Sequence, residues 1–282
     1  MPLGDRQEND LVHITLDVWQ DKVYYLGKEY PAGYFAAGVL NVSHNLFVTI
    51  TGEGGFLLDA YAVAKFGDRE QLEELLPVLW ESVENMLRSL RQVPPFSLWS
   101  METELGKMKA MLSKDHIDQL LDNPEEKMWF LAYLRAGILL PISIYHFVIA
   151  AWHLETYYLH RLGKRDETHF AVAFHDFYHD PSTKEVLEKM FAPTIEPFDA
   201  NPRLRSSYTF ARDPKDEKKM IFVNRVFFSS YMDFYVYDLL NGMHWGHAPS
   251  LCECCLKYFL TTDSHKPKYC DGMAPQNPHY TC

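Results

Sequence analysis

Four of the chain's five cysteines have the number and spacing of a metal site. Cys252 and Cys255 form a C-x2-C pair, 14 residues separate Cys255 from Cys270, and 11 separate Cys270 from Cys282. A C-x2-C spacing lets one tight turn present two thiolates to the same ion, and four thiolates complete the closed tetrahedral shell of a structural zinc ion. A segment this short buries too little apolar surface to fold unaided, so the metal would hold it together. The sequence therefore predicts a structural Zn²⁺ bound by these four cysteines.

The remaining cysteine and two histidines leave alternatives for the ligand set. Cys254 lies between the first two predicted ligands, and we interpret it as a spare thiol pointing to solvent, because adjacent Cys254 and Cys255 would make an unworkable ligand pair. His279, three residues before Cys282, is an alternative fourth ligand, and His265 is a weaker one.

The N-terminal residues bear on the compartment. The chain begins MPLGDRQEND, which has neither the basic nor the apolar region of a secretory signal, so we expect a cytoplasmic protein. Cytoplasmic thiols stay reduced, and a metal therefore explains clustered cysteines better than disulfides do.

Two histidine pairs suggest a second kind of chemistry. His175 and His179 are four residues apart, which on a helix places both imidazoles on one face, as in metal-dependent hydrolases. The H-E-x-x-H pattern is absent because Asp176 follows His175, and the sequence identifies no third ligand. His244 and His247 either form a second metal site or end a helix before the cysteines. We favour surface, capping or helix-end roles for all four histidines.

The charge balance weighs against nucleic acid as the main partner. The chain has 38 acidic residues against 27 Lys and Arg, a net charge of -11, and repels phosphates unless its basic residues share one face. Three lysines and three acidic residues cancel between residues 252 and 282. The densest basic group lies between residues 203 and 219: Arg203, Arg205, Arg212, Lys215, Lys218 and Lys219. We interpret that group as part of a solvated loop, with a patch for nucleic acid or an acidic partner as the alternative.

The elements that must position these side chains begin with strands. LVHITLDVWQDKVYYLG, from residue 11 to 27, alternates polar and apolar residues and is rich in β-branched and aromatic types, which predicts a hairpin turning at Asp21-Lys22. HNLFVTI, from residue 44 to 50, predicts another strand, closed by a glycine-rich turn over residues 52–55.

Helices are expected to dominate the middle of the chain. Apolar residues recur every three or four positions between residues 72 and 90, with Asp68 as a candidate N-cap and Pro77 as a kink or restart. Asn123-Pro124 starts a second helical stretch that runs to about His160. Its most apolar part, AGILLPISIYHFVIAAW, contains a proline and a histidine, and we interpret it as a buried helix pair rather than a membrane span.

The last third of the chain leads into the cysteines. Asp180-Pro181-Ser182 begins another helix, and the proline-containing residues 192–219 predict a long surface excursion. MIFVNRVFFSSYMDFYVYDLLNGM then predicts a strand followed by a helix. The expected fold class is α+β, with a β-rich element over residues 1–55, a mainly helical body over 56–247 and a zinc-finger-like module over 248–282.

The tail resembles known zinc modules. The order C-x2-C-x-x-Tyr-Phe, Lys-Tyr-Cys and Thr-Cys is similar to C-terminal modules of poorly characterised bacterial and prophage proteins, and to the zinc finger of CGNR-type regulators. The resemblance covers about a fifth of the chain and implies that Cys252, Cys255, Cys270 and Cys282 are metal ligands. The sequence departs from it at Leu256, where many such knuckles have glycine, and lacks the CGNR tetrapeptide and the basic stretch after it.

Three functions follow as hypotheses. The first is a non-enzymatic, intracellular zinc-binding protein of bacterial or phage origin that binds a protein partner, which the acidity and the 15% aromatic content favour. The second is a nucleic-acid-binding transcriptional regulator, as the CGNR resemblance implies. The third is a metal-dependent hydrolase that uses His175 and His179.

Overall fold

The computed structural model describes residues 9–111, 113, 117, 119, 121–190, 201–213, 216–262, 268–275 and 277–282. Within them the chain has the predicted α+β class, with a small antiparallel sheet that begins near the N-terminus, a mainly helical body and a C-terminal cluster of cysteines. By its internal contacts the chain divides into two units. The first contains residues 13–41 and 146–282, and the second contains residues 9–12 and 42–145.

The main sheet belongs to the first unit and joins strands from both ends of the sequence. Its five strands are β1 (Ile14–Trp19), β2 (Lys22–Tyr25), β3 (Lys28–Pro31), β4 (Arg205–Asp213) and β5 (Asp216–Phe228). They are antiparallel in the order β3-β2-β1-β5-β4. The predicted hairpin is present, but its turn is Gln20-Asp21, one residue earlier than the predicted Asp21-Lys22, since Trp19 pairs with Lys22.

The interpretation of residues 192–219 as a surface excursion is wrong where the structure describes them. Residues 205–213 form β4, which pairs along its length with β5, while residues 191–200 lie outside the described residues. Pairing gives this polar stretch a buried side, because Ala211 and Val223 pack with Tyr24 in a small cluster. Proline and charge content indicated a loop, whereas this stretch pairs with β5, the next strand along the chain, and packs against Tyr24 from β2.

The described helices follow one another along the chain. They are α1 (Tyr34–Val39), α2 (His44–Phe66), α3 (Arg69–Leu90), α4 (Met101–Met111), α5 (Pro124–Leu154), α6 (Glu167–His179), α7 (Pro181–Met190) and α8 (Tyr231–His244). A π-helical turn, Glu155–Leu159, extends α5. The starts predicted at Asp68, Asn123-Pro124 and Asp180-Pro181 are confirmed, and the Asp68 side chain accepts a hydrogen bond from the Gln71 amide.

The strand predicted over residues 44–50 is a helix instead, and so is the glycine turn after it. Ser43 caps α2 by accepting a hydrogen bond from the Leu46 amide, and Phe47, Ile50 and Leu57 fall on its buried side. This spacing of three and seven residues is helical, although the β-branched residues favoured a strand. Helix α2 also runs through the predicted domain boundary between residues 55 and 56; the three-segment division of the chain otherwise stays a prediction.

The apolar run from Ala136 to Trp152 lies within one helix, not a helix pair, because α5 continues through Pro141. Two described helical segments, His44–Phe66 and Pro124–Leu159, are long and apolar enough to cross a membrane. Length and composition alone are weak support for a span, since core helices pass the same test. In the apolar window of the second segment, 56% of the residues are buried.

Helix α8 packs closely against the start of α1 in the first unit. Gly33 has a left-handed backbone (φ 88°), and its amide donates a hydrogen bond to the Asp238 carboxylate at 3.0 Å. The Ala36 amide donates to the same carboxylate at 2.9 Å, so a side chain from α8 caps α1. Burial raises the pKa of Asp238 to about 6, although these N–H donors act in the opposite direction.

Candidate metal centre

The first two cysteines of the cluster lie on a turn between two short strands. β6 (Ala248–Leu251) pairs antiparallel with β7 (Tyr258–Thr261), and residues 252–257 form the turn. The Cys252 amide donates to the Lys257 carbonyl at 2.9 Å, and the Leu256 amide donates to the Cys252 carbonyl at 3.0 Å. This closed turn holds Cys252 and Cys255 side by side, as the C-x2-C spacing predicted.

The β6–β7 hairpin is fixed to the rest of the first unit by polar contacts at both strands. The Asn41 side chain donates to the Tyr258 carbonyl at 2.8 Å and accepts from the Tyr258 amide at 2.7 Å, so it imitates a neighbouring strand. On the other strand, buried Arg165 donates to the Pro249 carbonyl at 2.9 Å. These hydrogen bonds fix the position of the hairpin whose turn contains Cys252 and Cys255.

The other two cysteines flank a second short hairpin. Cys270 precedes β8 (Met273–Ala274) and Cys282 follows β9 (Asn277–Thr281), and these strands pair antiparallel. The Cys282 amide donates to the Gly272 carbonyl at 2.7 Å. The Glu253 amide donates to the Lys268 carbonyl at 2.9 Å, which joins the second segment to the first turn.

The sulfur atoms of the four cysteines lie close together. The Sγ atoms of Cys252, Cys255, Cys270 and Cys282 all lie within 4.8 Å of one another, and the Cys255 and Cys270 sulfurs are 3.6 Å apart. With Zn–S bonds of about 2.3 Å, two ligands of a tetrahedral ion are about 3.8 Å apart. None of the five cysteines forms a disulfide. The cluster that the sequence predicted is assembled and could hold a metal ion.

Hydrogen bonds favour the thiolate form of one cysteine in the cluster, Cys252. Cys252 is fully buried, which by itself raises its pKa, but N–H donors from Cys255, Cys270 and Cys254 outweigh burial and lower the pKa to about 6. The Cys270 amide, for example, donates to the Cys252 sulfur at 3.4 Å.

The pKa values of two neighbouring thiols, Cys270 and Cys282, are shifted in the opposite direction. Burial, followed by hydrogen bonds among the thiols, raises the pKa values of Cys270 and Cys282. Without a cation, a second thiolate beside Cys252 would be repelled. A divalent ion removes that repulsion, because metal binding displaces protons from thiols.

Cys254 is not one of the four but is close to them. Together with burial, an interaction with the Cys254 thiol raises the pKa of Cys282. Cys254 is partly exposed and lies outside the four-sulfur group, so its interpretation as a spare thiol that points to solvent stays a prediction. Of the alternative ligands, His265 and the side chain of His279 lie outside the described residues.

His175 and His179, the histidine pair predicted for a hydrolase, lie on one face of α6, and no described residue completes a metal site with them. The rings of His175 and His179 stack with centroids 4.3 Å apart near the exposed end of α6. His179 contacts the His175 carbonyl through Nδ1 at 2.8 Å, and His175 contacts Asp176. Among the residues that the structure describes, the four cysteines are the one group with metal-ligand geometry. Asp180 serves α7 instead, by accepting hydrogen bonds from Ser182 and Tyr158.

The histidines before the cysteines have separate structural roles. His244 contacts Glu167 through Nδ1 at 2.6 Å on the surface, and buried His247 contacts the Ala32 carbonyl at 3.0 Å. Neither is grouped with the cysteines. The helix-end interpretation fits them.

A feature that sequence reasoning missed is an exposed apolar face on the β4–β5 ribbon. Tyr208 and Phe210 on β4 lie beside Phe222 and Met220 on β5, and Phe210 pairs directly with Phe222. Tyr208 is 81% and Phe222 77% exposed. Arg212 pairs with Met220 and lies on the same side, next to the register shift that ends the regular ribbon. We call these five residues the aromatic face; period-two alternation in YTFAR and KMIF was the signal that could have revealed it.

Comparison with known proteins gives one partial similarity. The model of a family described as "Family of unknown function (DUF6076)" matches residues 199–282. No curated protein and no solved structure shows significant similarity to the chain. The matched residues include the β4–β5 ribbon, α8 and all four clustered cysteines, and the family's description assigns no activity to them.

Proposed function

We propose that the protein is a non-enzymatic, zinc-stabilised interaction protein of the cytoplasm, which binds a protein partner through the aromatic face. Zinc is the metal proposed, because four thiolates in a tetrahedral arrangement suit it and reduced thiols are available in that compartment. The ion has a structural role, since four sulfur ligands leave no open position for a substrate.

The observation that carries the proposal is the exposure of the aromatic face. Four large apolar side chains are contiguous on one side of two paired strands, while the opposite side of the same ribbon packs inward on Tyr24 and Trp19. Soluble proteins rarely leave such patches open unless they bind something, and aromatic residues and arginine are enriched at interfaces. The aromatic face is thus a ready contact surface.

The charges on this face indicate the chemistry of the partner. Arg212 is the charged residue among its five, in a chain with net charge -11. No described residue forms an ion pair with Arg212. A segment that combines apolar and acidic side chains complements this surface.

The position of β4 indicates how that segment binds. β4 is the outer strand of the described sheet, so its outward backbone groups can accept another strand. An extended segment that pairs with β4 would place alternate side chains beside Tyr208 and Phe210. The proposed occupant is therefore an extended, acidic and apolar segment of another protein.

The test uses the full chain as bait in a lysate of the source cells. The wild type is compared with the double variant Phe210→Ser, Phe222→Ser and with Phe66→Ser, which changes an equally exposed phenylalanine (84% exposed) on α2. A protein that only the double variant fails to capture is purified, and its affinity is measured. We expect the double variant to bind it at least about tenfold more weakly, as at interface hot spots, and the segment that contacts the face to be acidic.

Two results would contradict the proposal. One is a captured protein whose affinity is the same for the double variant and the wild type. The other is tight binding of a single-stranded oligonucleotide that the double variant loses and that weakens steeply with salt, because exposed aromatic rings beside cations can also stack bases. That second result would support the nucleic-acid regulator instead.

A further inference from the structure

A separate concave site lies at the opposite end of the β4–β5 ribbon from Arg212. The cavity has a volume of about 520 Å³, which is within the range of small-molecule sites. Its lining combines the cations of Arg203 and Arg205 and the imidazole of His13 with serine and threonine hydroxyls, and none of the described lining residues is acidic. In a chain with a net charge of -11, this lining favours anions over cations.

Cross-strand pairing explains why Arg205 carries an uncompensated charge. Two neighbouring rows of the sheet each contain an arginine. In one row, Arg225 is opposite Asp17 and binds both of its carboxylate oxygens, at 2.7 and 2.9 Å. In the other row, Arg205 is opposite Phe227, which is opposite Thr15, and no described residue forms an ion pair with Arg205. The first arginine is neutralised within the fold, and the second is available to a ligand.

The second arginine of the pocket is held in place by the start of α8. The Arg203 amide donates to Asp233 Oδ1 at 3.1 Å, and its Nε lies 3.6 Å from Asp233 Oδ2. The Asp233 carboxylate is buried, so it positions Arg203 and partly offsets its charge, while the guanidinium side chain stays 66% exposed. Ser229, on the pocket wall, immediately precedes the N-cap of α8, where the helix dipole adds positive potential.

The remaining wall of the pocket is apolar. Phe227 and Leu204 supply it, while the ring of Phe228 is buried against Phe234 and Tyr237. A free inorganic anion would leave this surface exposed to water, whereas an organic phosphate can place its anionic group on the arginines and its apolar group against Phe227 and Leu204.

We propose that this pocket binds a small organic phosphate, with Arg205 and Arg203 holding the phosphoryl oxygens, the serine hydroxyls donating to them, and Phe227 and Leu204 contacting the organic group. This site is independent of the aromatic face and of the cysteine cluster. It lies largely within residues 199–282, to which no ligand is assigned.

The test measures binding of phenyl phosphate, inorganic phosphate and phenol to the full chain by calorimetry at constant ionic strength. We expect phenyl phosphate to bind more tightly than inorganic phosphate, and phenol not to bind measurably. Arg205→Gln should weaken phenyl phosphate binding at least about tenfold, because it removes charge-assisted hydrogen bonds. Arg205→Glu should abolish binding.

The matched control is Arg212→Gln, which removes an exposed arginine from the same strand outside the pocket. It should bind phenyl phosphate as the wild type does, and thermal unfolding should show that all three variants are folded. The proposal is overturned if phenyl phosphate does not bind the wild type at millimolar concentrations, if Arg205→Gln binds it as tightly as the wild type, or if Arg212→Gln is equally impaired.

Discussion

At the scale of single residues, the cysteine cluster combines four suitably spaced candidate ligands with one residue in an unfavourable backbone conformation. The spacing of Cys252 and Cys255 predicted that one turn presents both thiols, and Cys270 and Cys282 were the cysteines that could complete a four-ligand site. Leu256 has φ 55°, in the left-handed region that favours glycine. A leucine here adds strain of about 1 kcal/mol or more.

The first prediction concerns the identity of the ligands. Elemental analysis of the purified chain should find one zinc per molecule, and Cys255→Ser should lose it, because three thiolates and a hydroxyl bind zinc less well. Where free zinc is about a thousandfold above its Kd, losing the ion removes about 4 kcal/mol of stability. The midpoint of thermal unfolding should therefore fall by several degrees.

Cys254→Ser provides the control for that measurement. It replaces the neighbouring thiol that interacts with Cys282 but leaves all four clustered sulfurs in place, so it should retain the zinc and unfold near the wild-type temperature. Zinc lost in Cys254→Ser but kept in Cys255→Ser would show that the ligand set is wrong.

At the scale of elements, sequence patterns predicted those helices and strands whose causes are local. The starts of α3, α5 and α7 and the β1–β2 turn depend on caps, prolines and alternation within a few residues. The failures depend on tertiary packing: β4 pairs with β5, and Ala211 on its inner side packs against buried Tyr24 from β2. The start of α2 was predicted as a strand because its β-branched residues favour strands. The apolar residues of α2 nevertheless have a helical spacing, which places them together on its buried side.

The second prediction tests the close contact between α8 and α1. A Cβ atom at Gly242 would lie 2.8 Å from the Gly33 Cα and 3.0 Å from the Ala32 carbonyl oxygen, and neither backbone atom can move freely. Gly242→Ala should therefore destabilise the protein by about 1–3 kcal/mol in urea unfolding, although alanine normally stabilises a helix.

Gly106→Ala, in α4, is the helical control for that substitution. A Cβ at Gly106 has no heavy atom within 4 Å, so alanine should stabilise the protein by up to about 1 kcal/mol. If Gly242→Ala were as stable as the wild type, the close packing of α8 on the start of α1 would be contradicted.

At the scale of the whole molecule, the first unit depends on contacts between the two ends of the chain. β1 pairs with β5 from Ile14–Phe228 to Val18–Asn224, Asn41 binds Tyr258, and Asp238 caps α1. The region matched by the family model therefore packs with residues 13–41 in one folded unit. No periodicity or motif could reveal this, because the contacts that create it are separated by more than 190 residues in sequence.

The Asp238 cap predicts how the stability of this end-to-end packing changes with pH. Its pKa of about 6 in the folded state is above the ordinary value of about 3.9 for an unfolded aspartate, so the folded state binds the proton more strongly. The resulting stabilisation is complete below pH 4 and is lost as the pH rises through 6. With about 1.4 kcal/mol for each pKa unit, the loss is about 3 kcal/mol.

Asp238→Asn cannot titrate and removes this contribution, while protonation of the cysteines affects both proteins alike. The unfolding free energy of the wild type minus that of Asp238→Asn, measured in urea from pH 4 to 8, should therefore decrease between pH 4 and 6 and be constant above 7. A difference that rises with pH would mean that hydrogen bonds from the Gly33 and Ala36 amides outweigh burial and that Asp238 is a charged cap throughout this range.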